Sequence, residues 1–199
     1  MANGKPDIGR QGFRTNPADE ERYKFDKIVH AITTISEPHR LAHDGMMFHF
    51  THLHSAVVNG GTEDLLFKVP AGAYPHLNTM RVNAGGGDLN IYLYEGTTVS
   101  ADGTAVTVHN TNRNSSNTAD TPVYHTPTVT GVGTEIHHQW LPPSATGAGQ
   151  THDGVTDAQQ GEEWILAPST NYMLRVENNS GNTIDIWVEV LFYEVGYPS

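Results

Sequence analysis

Hydrophobic and polar residues alternate over short distances along most of this chain, with the two-residue period of strands that bury one face. The longest such run lies near the end, where Ile184, Ile186, Val188, Val190 and Phe192 oppose Asp185, Trp187, Glu189, Leu191 and Tyr193. Leu89, Ile91 and Leu93 likewise oppose Asn90, Tyr92 and Tyr94. Similar runs are expected over 46–58, 65–69, 76–82, 105–109, 123–129, 135–141, 163–167 and 171–177. Pro70-Ala71-Gly72, the glycines at 85–87, Ala101-Asp102-Gly103-Thr104 and the polar run 178–182 separate them as turns. About nine or ten strands are enough for two sheets. The expectation is an all-β fold, an antiparallel β-sandwich of jelly-roll-like form over 25–199, preceded by an extended N-terminal arm, 1–24. Asp19 and the apolar residues after it suit a short helix within 19–35, but the β-branched content of 28–35 favours a strand. Residues 142–161 lack periodicity and read as a surface loop, a candidate contact site.

Composition agrees with this pattern. The 199 residues include 20 Gly and 11 Pro, and no long helical pattern occurs. There is no cysteine, which excludes disulfides and thiolate metal sites. No apolar run approaches the length of a membrane span, and the first residues lack the apolar core of a signal peptide, so a protein made in the cytoplasm is expected. Charge is unevenly placed. Residues 1–40 sum to +1 and residues 41–199 to −12, within a total of −11. An acidic body repels phosphate backbones, so no nucleic-acid partner is expected.

The polar run Asn110 to Asn117 has side chains suited to bonding nearby backbone amides and so to ordering a loop. Together with Tyr94-Glu95-Gly96-Thr97-Thr98, Val123-Tyr124-His125-Thr126-Pro127, Glu163-Trp164-Ile165-Leu166, Asn171-Tyr172-Met173-Leu174-Arg175-Val176 and Leu191-Phe192-Tyr193-Glu194, it carries a resemblance. Over 38–194 the chain resembles a family of small virion structural proteins of tailed double-stranded DNA bacteriophages, of the head decoration (cement) type. Asn112-Arg113-Asn114-Ser115 is the most specific part of that likeness. The resemblance implies a non-enzymatic protein on the outer capsid surface, a homotrimer that binds the major capsid protein, with no cofactor and no membrane. Arg10, Phe13, Arg14 and Tyr23 of the arm, with Phe25 directly after it, are then the candidates for reaching a neighbouring subunit. A phage tail or head–tail adaptor protein that recognises the host is an alternative, which exposed Trp140, Tyr94 or Tyr124 would favour.

Twelve histidines raise the question of a metal. In a strand, His52 and His54 share a face while His49 lies opposite, so at most two imidazoles converge from 48–54. A His-x-His pair on a sandwich strand is similar to the first motif of the metal-binding cupins. Val58 and Asn59 stand where that motif needs a glutamate, and Glu63 lies too far along. Pro70-Ala71-Gly72 with His76 and Asn78 is a near miss to the second motif. A cupin-like enzyme is therefore a rival reading, and histidines that pack or hydrogen-bond are the expectation. No Gly-x-Ser-x-Gly elbow supports a nucleophile. Glu162-Glu163 reads as solvated strand-edge charge beside a core Trp164, and 151–157 as a plain loop rather than a calcium site.

Overall fold

The computed structural model describes residues 23–25, 32–34, 36–85, 88–143, 154–157 and 163–195, with backbone alone at 23–25, 32–34 and 154–157. The chain divides into two compact units, 1–40 and 41–199, at the point where the charge balance changes. In the first, β1 (Tyr23–Phe25) pairs antiparallel with β2 (Ile32–Thr34), in keeping with the strand preference for 19–35. A seven-residue helix, α1 (Glu37–His43), spans the division. The sequence reading has no helix there, yet its signals are local and complete. Pro38 fits the first turn, and Glu37 suits its positive end and pairs with Arg40 at 2.6 Å. Gly45 at φ +70° ends the helix, with Gly45 N bonding Ala42 O and Met46 N bonding Leu41 O. That double bond around a left-handed residue is the Schellman motif.

The second unit holds β3 (Met47–Val57), β4 (Thr62–Lys68), β5 (Pro75–Ala84), β6 (Leu89–Glu95), β7 (Thr98–Ala101) and β8 (Thr104–Val106). They are followed by β9 (His109–Asn110), β10 (Val123–His125), β11 (Thr128–Gly131), β12 (Thr134–Leu141), β13 (Gly154–Asp157), β14 (Trp164–Ile165), β15 (Asn171–Asn178) and β16 (Ile184–Glu194). One sheet runs β12-β6-β15-β4-β10-β8 and the other β13-β5-β16-β3-β9, with β14 also on β5. All the pairings are antiparallel, and β7 with β11 makes a separate ribbon. The inward faces of the two sheets pack into one core, as expected of an antiparallel sandwich. On β16 the buried row is Ile186, Val188, Val190 and Phe192, the row read from the sequence. Phe50 of β3 meets Phe67 of β4 across the sheets at 5.8 Å, both with no exposed surface.

Several boundaries differ from expectation, each for a local reason. The run 123–129 is two strands in different sheets, because Thr126 turns the chain at φ +51° ahead of Pro127. The run 105–109 also divides, β8 joining the first sheet and β9 the second. Residues 142–161 include β13, which pairs with β5. Over 163–167 only Trp164 and Ile165 are strand, and Trp164 is 37% exposed rather than core.

Gly103 closes the β7–β8 turn at φ +91°, and a methyl group there would sit 2.2 Å from the His125 carbonyl oxygen. Gly72 has a similar φ of +88° but open space around it. Gly103→Ala is therefore expected to cost about 2 kcal/mol or more and Gly72→Ala about 1 kcal/mol, as read by urea denaturation. Equal costs would mean that backbone strain alone, and not the contact with β10, decides the position.

Candidate functional site

Two groups of side chains carry chemistry in the second unit. The first lies between the sheets. The inward row of β3 runs Phe48, Phe50, His52 and His54, so imidazoles replace phenyl rings toward one end of the sandwich. From the other sheet, Glu63 of β4 and His125 of β10 meet them. The His52 ring stacks on His125 at 4.2 Å and sits edge-on to His54 at 4.5 Å. His54 Nδ1 lies 3.1 Å from Glu63 Oε2. The sequence reading set Glu63 aside as too distant for a motif; the crossover from β3 to β4 folds it back.

Burial, then the neighbouring imidazoles of His52 and His125, push the His54 pKa down to about 4. Burial also lowers His52 and raises Glu63. At neutral pH the contact is thus a neutral imidazole donating Nδ1–H to a carboxylate. His54 Nε2 is buried without a hydrogen-bond partner. Stacked rings set their nitrogens side by side rather than toward one point, and among the described residues no three His, Asp or Glu side chains are placed to hold a metal ion. His49, whose Nδ1 is also buried and unpartnered, faces His109 at 5.8 Å, apart from this cluster.

Other carboxylates are engaged within the fold. Glu163 accepts hydrogen bonds from Tyr193 Oη and His76 Nδ1, the His76 contact at 3.1 Å, so it is a bonded group rather than free strand-edge charge. Glu162 lies outside the described residues. Glu194 borders a depression of about 480 Å³ with Met46, Phe48 and Ala73. Its two oxygens accept the amides of Asp120 and Thr121 at 2.6 and 2.9 Å, which fixes the end of the polar loop. That loop is ordered by its own side chains, as expected: Asn110 Oδ1 accepts Asn112 N, Asn112 Oδ1 accepts Asn114 N, and Ser115 Oγ accepts Asn117 N. Asn110 Nδ2 and Asn117 Nδ2 also donate to Gly45 O, tying the loop to the end of α1.

The second group lies on the outward face of the first sheet. Strand register sets three rows across it. One is Glu135, Tyr94, Met173, Leu66 and Tyr124; the next is His138, Tyr92, Arg175 and Asp64; the third is Trp140, Asn90, Glu177 and Thr62. Arg175 grips Asp64 with two bonds of 2.7 and 2.8 Å, and the bonds to Asp64 raise the guanidinium pKa further. Beside this pair, Glu177 Oε2 accepts Asn90 Nδ2 at 3.1 Å and the Tyr92 hydroxyl at 3.2 Å. The Asn90 bond, followed by that of Tyr92, lowers the Glu177 pKa against the effect of burial. Tyr92 stacks on His138 at 4.4 Å, and His138 Nε2 donates to Asn90 Oδ1 at 3.2 Å. Trp140 is 58% exposed, and its Nε1 donates to Asp88 Oδ1 at 2.6 Å. Of the aromatic residues singled out, Trp140 is exposed and Tyr94 and Tyr124 are half-buried.

Arg10, Phe13 and Arg14 lie outside the described residues, and Tyr23 and Phe25 are placed by backbone alone, in β1. No helix among the described residues is long and apolar enough to cross a membrane. No family model, curated protein or solved structure matches the chain.

Proposed function

We propose that this is a structural, non-enzymatic protein of a tailed bacteriophage particle, a head decoration protein that binds the major capsid protein and holds the shell together. The observation that carries the reading is where the reactive groups go. Glu63, Glu163, Glu194 and Asp64 are all bonded inside the fold, while the exposed Trp140 sits on the outward face of the first sheet. Such an arrangement suits a rigid body that binds neighbours. The sequence likeness over 38–194 supplies the particle. A protein that binds only the assembled shell shifts the equilibrium away from disassembly, and a homotrimer at a symmetry axis adds multivalency.

The acidic body accords with a position on the outer capsid surface, away from packaged nucleic acid. Three of its four cations, Lys68, Arg81 and Arg175, already pair with Asp102, Glu189 and Asp64. The arm supplies the capsid contact in this reading, through Arg10, Phe13, Arg14, Tyr23 and Phe25. Deleting residues 1–24 should lower occupancy on expanded capsids by at least about tenfold, while thermal melting of the 41–199 unit stays in place. Full occupancy by the truncated protein would refute the assignment. Exposed Trp140 favours a second reading, a tail or head–tail adaptor that recognises the host. Copy number per particle separates the two, since a decoration protein repeats across the shell and an adaptor occupies one vertex.

A further inference from the structure

The outward row at Trp140 is more finely built than a shell contact requires. An exposed indole on an edge strand gains nothing for the core, yet Asp88 fixes its nitrogen at 2.6 Å and so fixes the plane of the ring. Around it lie Asn90, Glu177, Tyr92 and His138, joined by hydrogen bonds of 3.1 to 3.2 Å that leave carboxylate and amide lone pairs to spare. The polar neighbours of the ring are therefore mainly acceptors. Arg175 is held by Asp64, which leaves this face acidic through Asp88, Glu135 and Glu177.

From this geometry we propose that the face around Trp140 is a carbohydrate-binding platform for a neutral oligosaccharide of hexose or N-acetylhexosamine units. The C–H face of a pyranose ring covers the indole, a flat apolar surface that costs little conformational entropy to present. Its hydroxyls donate to Glu177 and to the Asn90 amide oxygen, and the bond to the charged Glu177 gives orientation. Neighbouring strands lie about 4.8 Å apart, so Trp140, Asn90 and Glu177 in one row span two or three sugar units. The same acidity repels uronic, sialic and phosphorylated glycans, which selects for neutral sugars. The inference concerns the isolated protein and holds whether the chain sits on a head or on a tail.

The test is a nuclear magnetic resonance titration of the full chain with chitotetraose and maltotetraose, following the indole N–H signals of Trp140, Trp164 and Trp187. At least one of these sugars should move the Trp140 signal at concentrations up to about 10 mM, the affinity range of a shallow platform. Trp140→Ala should weaken binding at least about tenfold, as loss of a central aromatic anchor does. Asp88→Ala, which frees the ring without removing it, should weaken binding by about threefold, with unchanged melting showing that both variants are folded. Trp164→Ala should bind as the parent does. Three results would overturn the proposal. They are no response to either sugar, a stronger response to oligogalacturonate than to the neutral sugars, and a Trp140 signal that moves with protein concentration alone. The last would make the face a contact between copies of this chain.

Discussion

Replacing Phe50 by alanine is expected to destabilise the 41–199 unit by about 3 to 5 kcal/mol, a large share of the roughly 5 to 15 kcal/mol that holds a domain folded. Phe50 has no exposed surface and meets Phe67 from the facing sheet at 5.8 Å, so truncation opens a cavity at the contact between layers. The residue next to it, Thr51, points to the other face and is exposed; Thr51→Ala should stay within about 0.5 kcal/mol. The two together test the alternation on which the fold rests. Urea denaturation of both variants at pH 7 measures it, and a melting point lowered by about 10 °C should accompany Phe50→Ala alone. Phe67→Ala should cost a similar amount. The double variant should cost less than the sum, because each truncation already removes part of the shared ring contact. Similar losses at Phe50 and Thr51 would mean that β3 does not bury one face.

Alternation made the strands legible because burial acts on every second residue. It identified the inward rows of β6 and β16, while the loop held by Asn110, Asn112 and Ser115 was legible from its amide-bonding side chains. What it could not convey was where the chain leaves one sheet for the other. The break at Thr126 depends on a left-handed backbone ahead of Pro127, and hydrophobicity carries no trace of it. The helix from Glu37 escaped because its start and stop signals enclose only about two turns, too few for a helical period to emerge. Among the candidate chemistry, the shared face of His52 and His54 follows from spacing alone. Their partners do not. Glu63 and His125 are brought in by the sheet crossover and by a strand more than seventy residues along, neither of which motif spacing conveys. Asn178, which the sequence assigns to a turn, is fully buried, its amide nitrogen donating to Val57 O and Asn182 O. A polar residue in a turn sequence gives no warning that three backbone segments converge on it.

Acidification should weaken the same unit through His54, by about 3 kcal/mol between pH 6.5 and pH 4. The folded state holds the His54 pKa at about 4 against 6.5 for a free imidazole. Across that window the unfolded chain binds the proton and the folded chain does not, so stability is complete above pH 6.5 and falls as the pH drops toward 4. At about 1.4 kcal/mol for each pH unit between the two values, the loss reaches the figure given. His52 and His137, both lowered chiefly by burial, act in the same direction. Glu63 acts against them. Its folded pKa is raised, so it takes up a proton in the folded state first and returns some stability at the acid end. The decline is therefore steepest between the two His54 values and flattens toward the acid end as Glu63 protonates. Urea denaturation at pH 7, 5.5 and 4.5 traces the curve. His54→Leu continues the apolar row of Phe48 and Phe50 and should remove most of the slope, whatever it does to stability at pH 7. A slope unchanged by that substitution would place the acid sensitivity elsewhere, and a flat profile in the parent would show that the cluster accepts protons without strain. If the slope is found, His52, His54 and His137 become intelligible as packing groups that the fold favours neutral, with His54 carrying the largest share of the acid sensitivity.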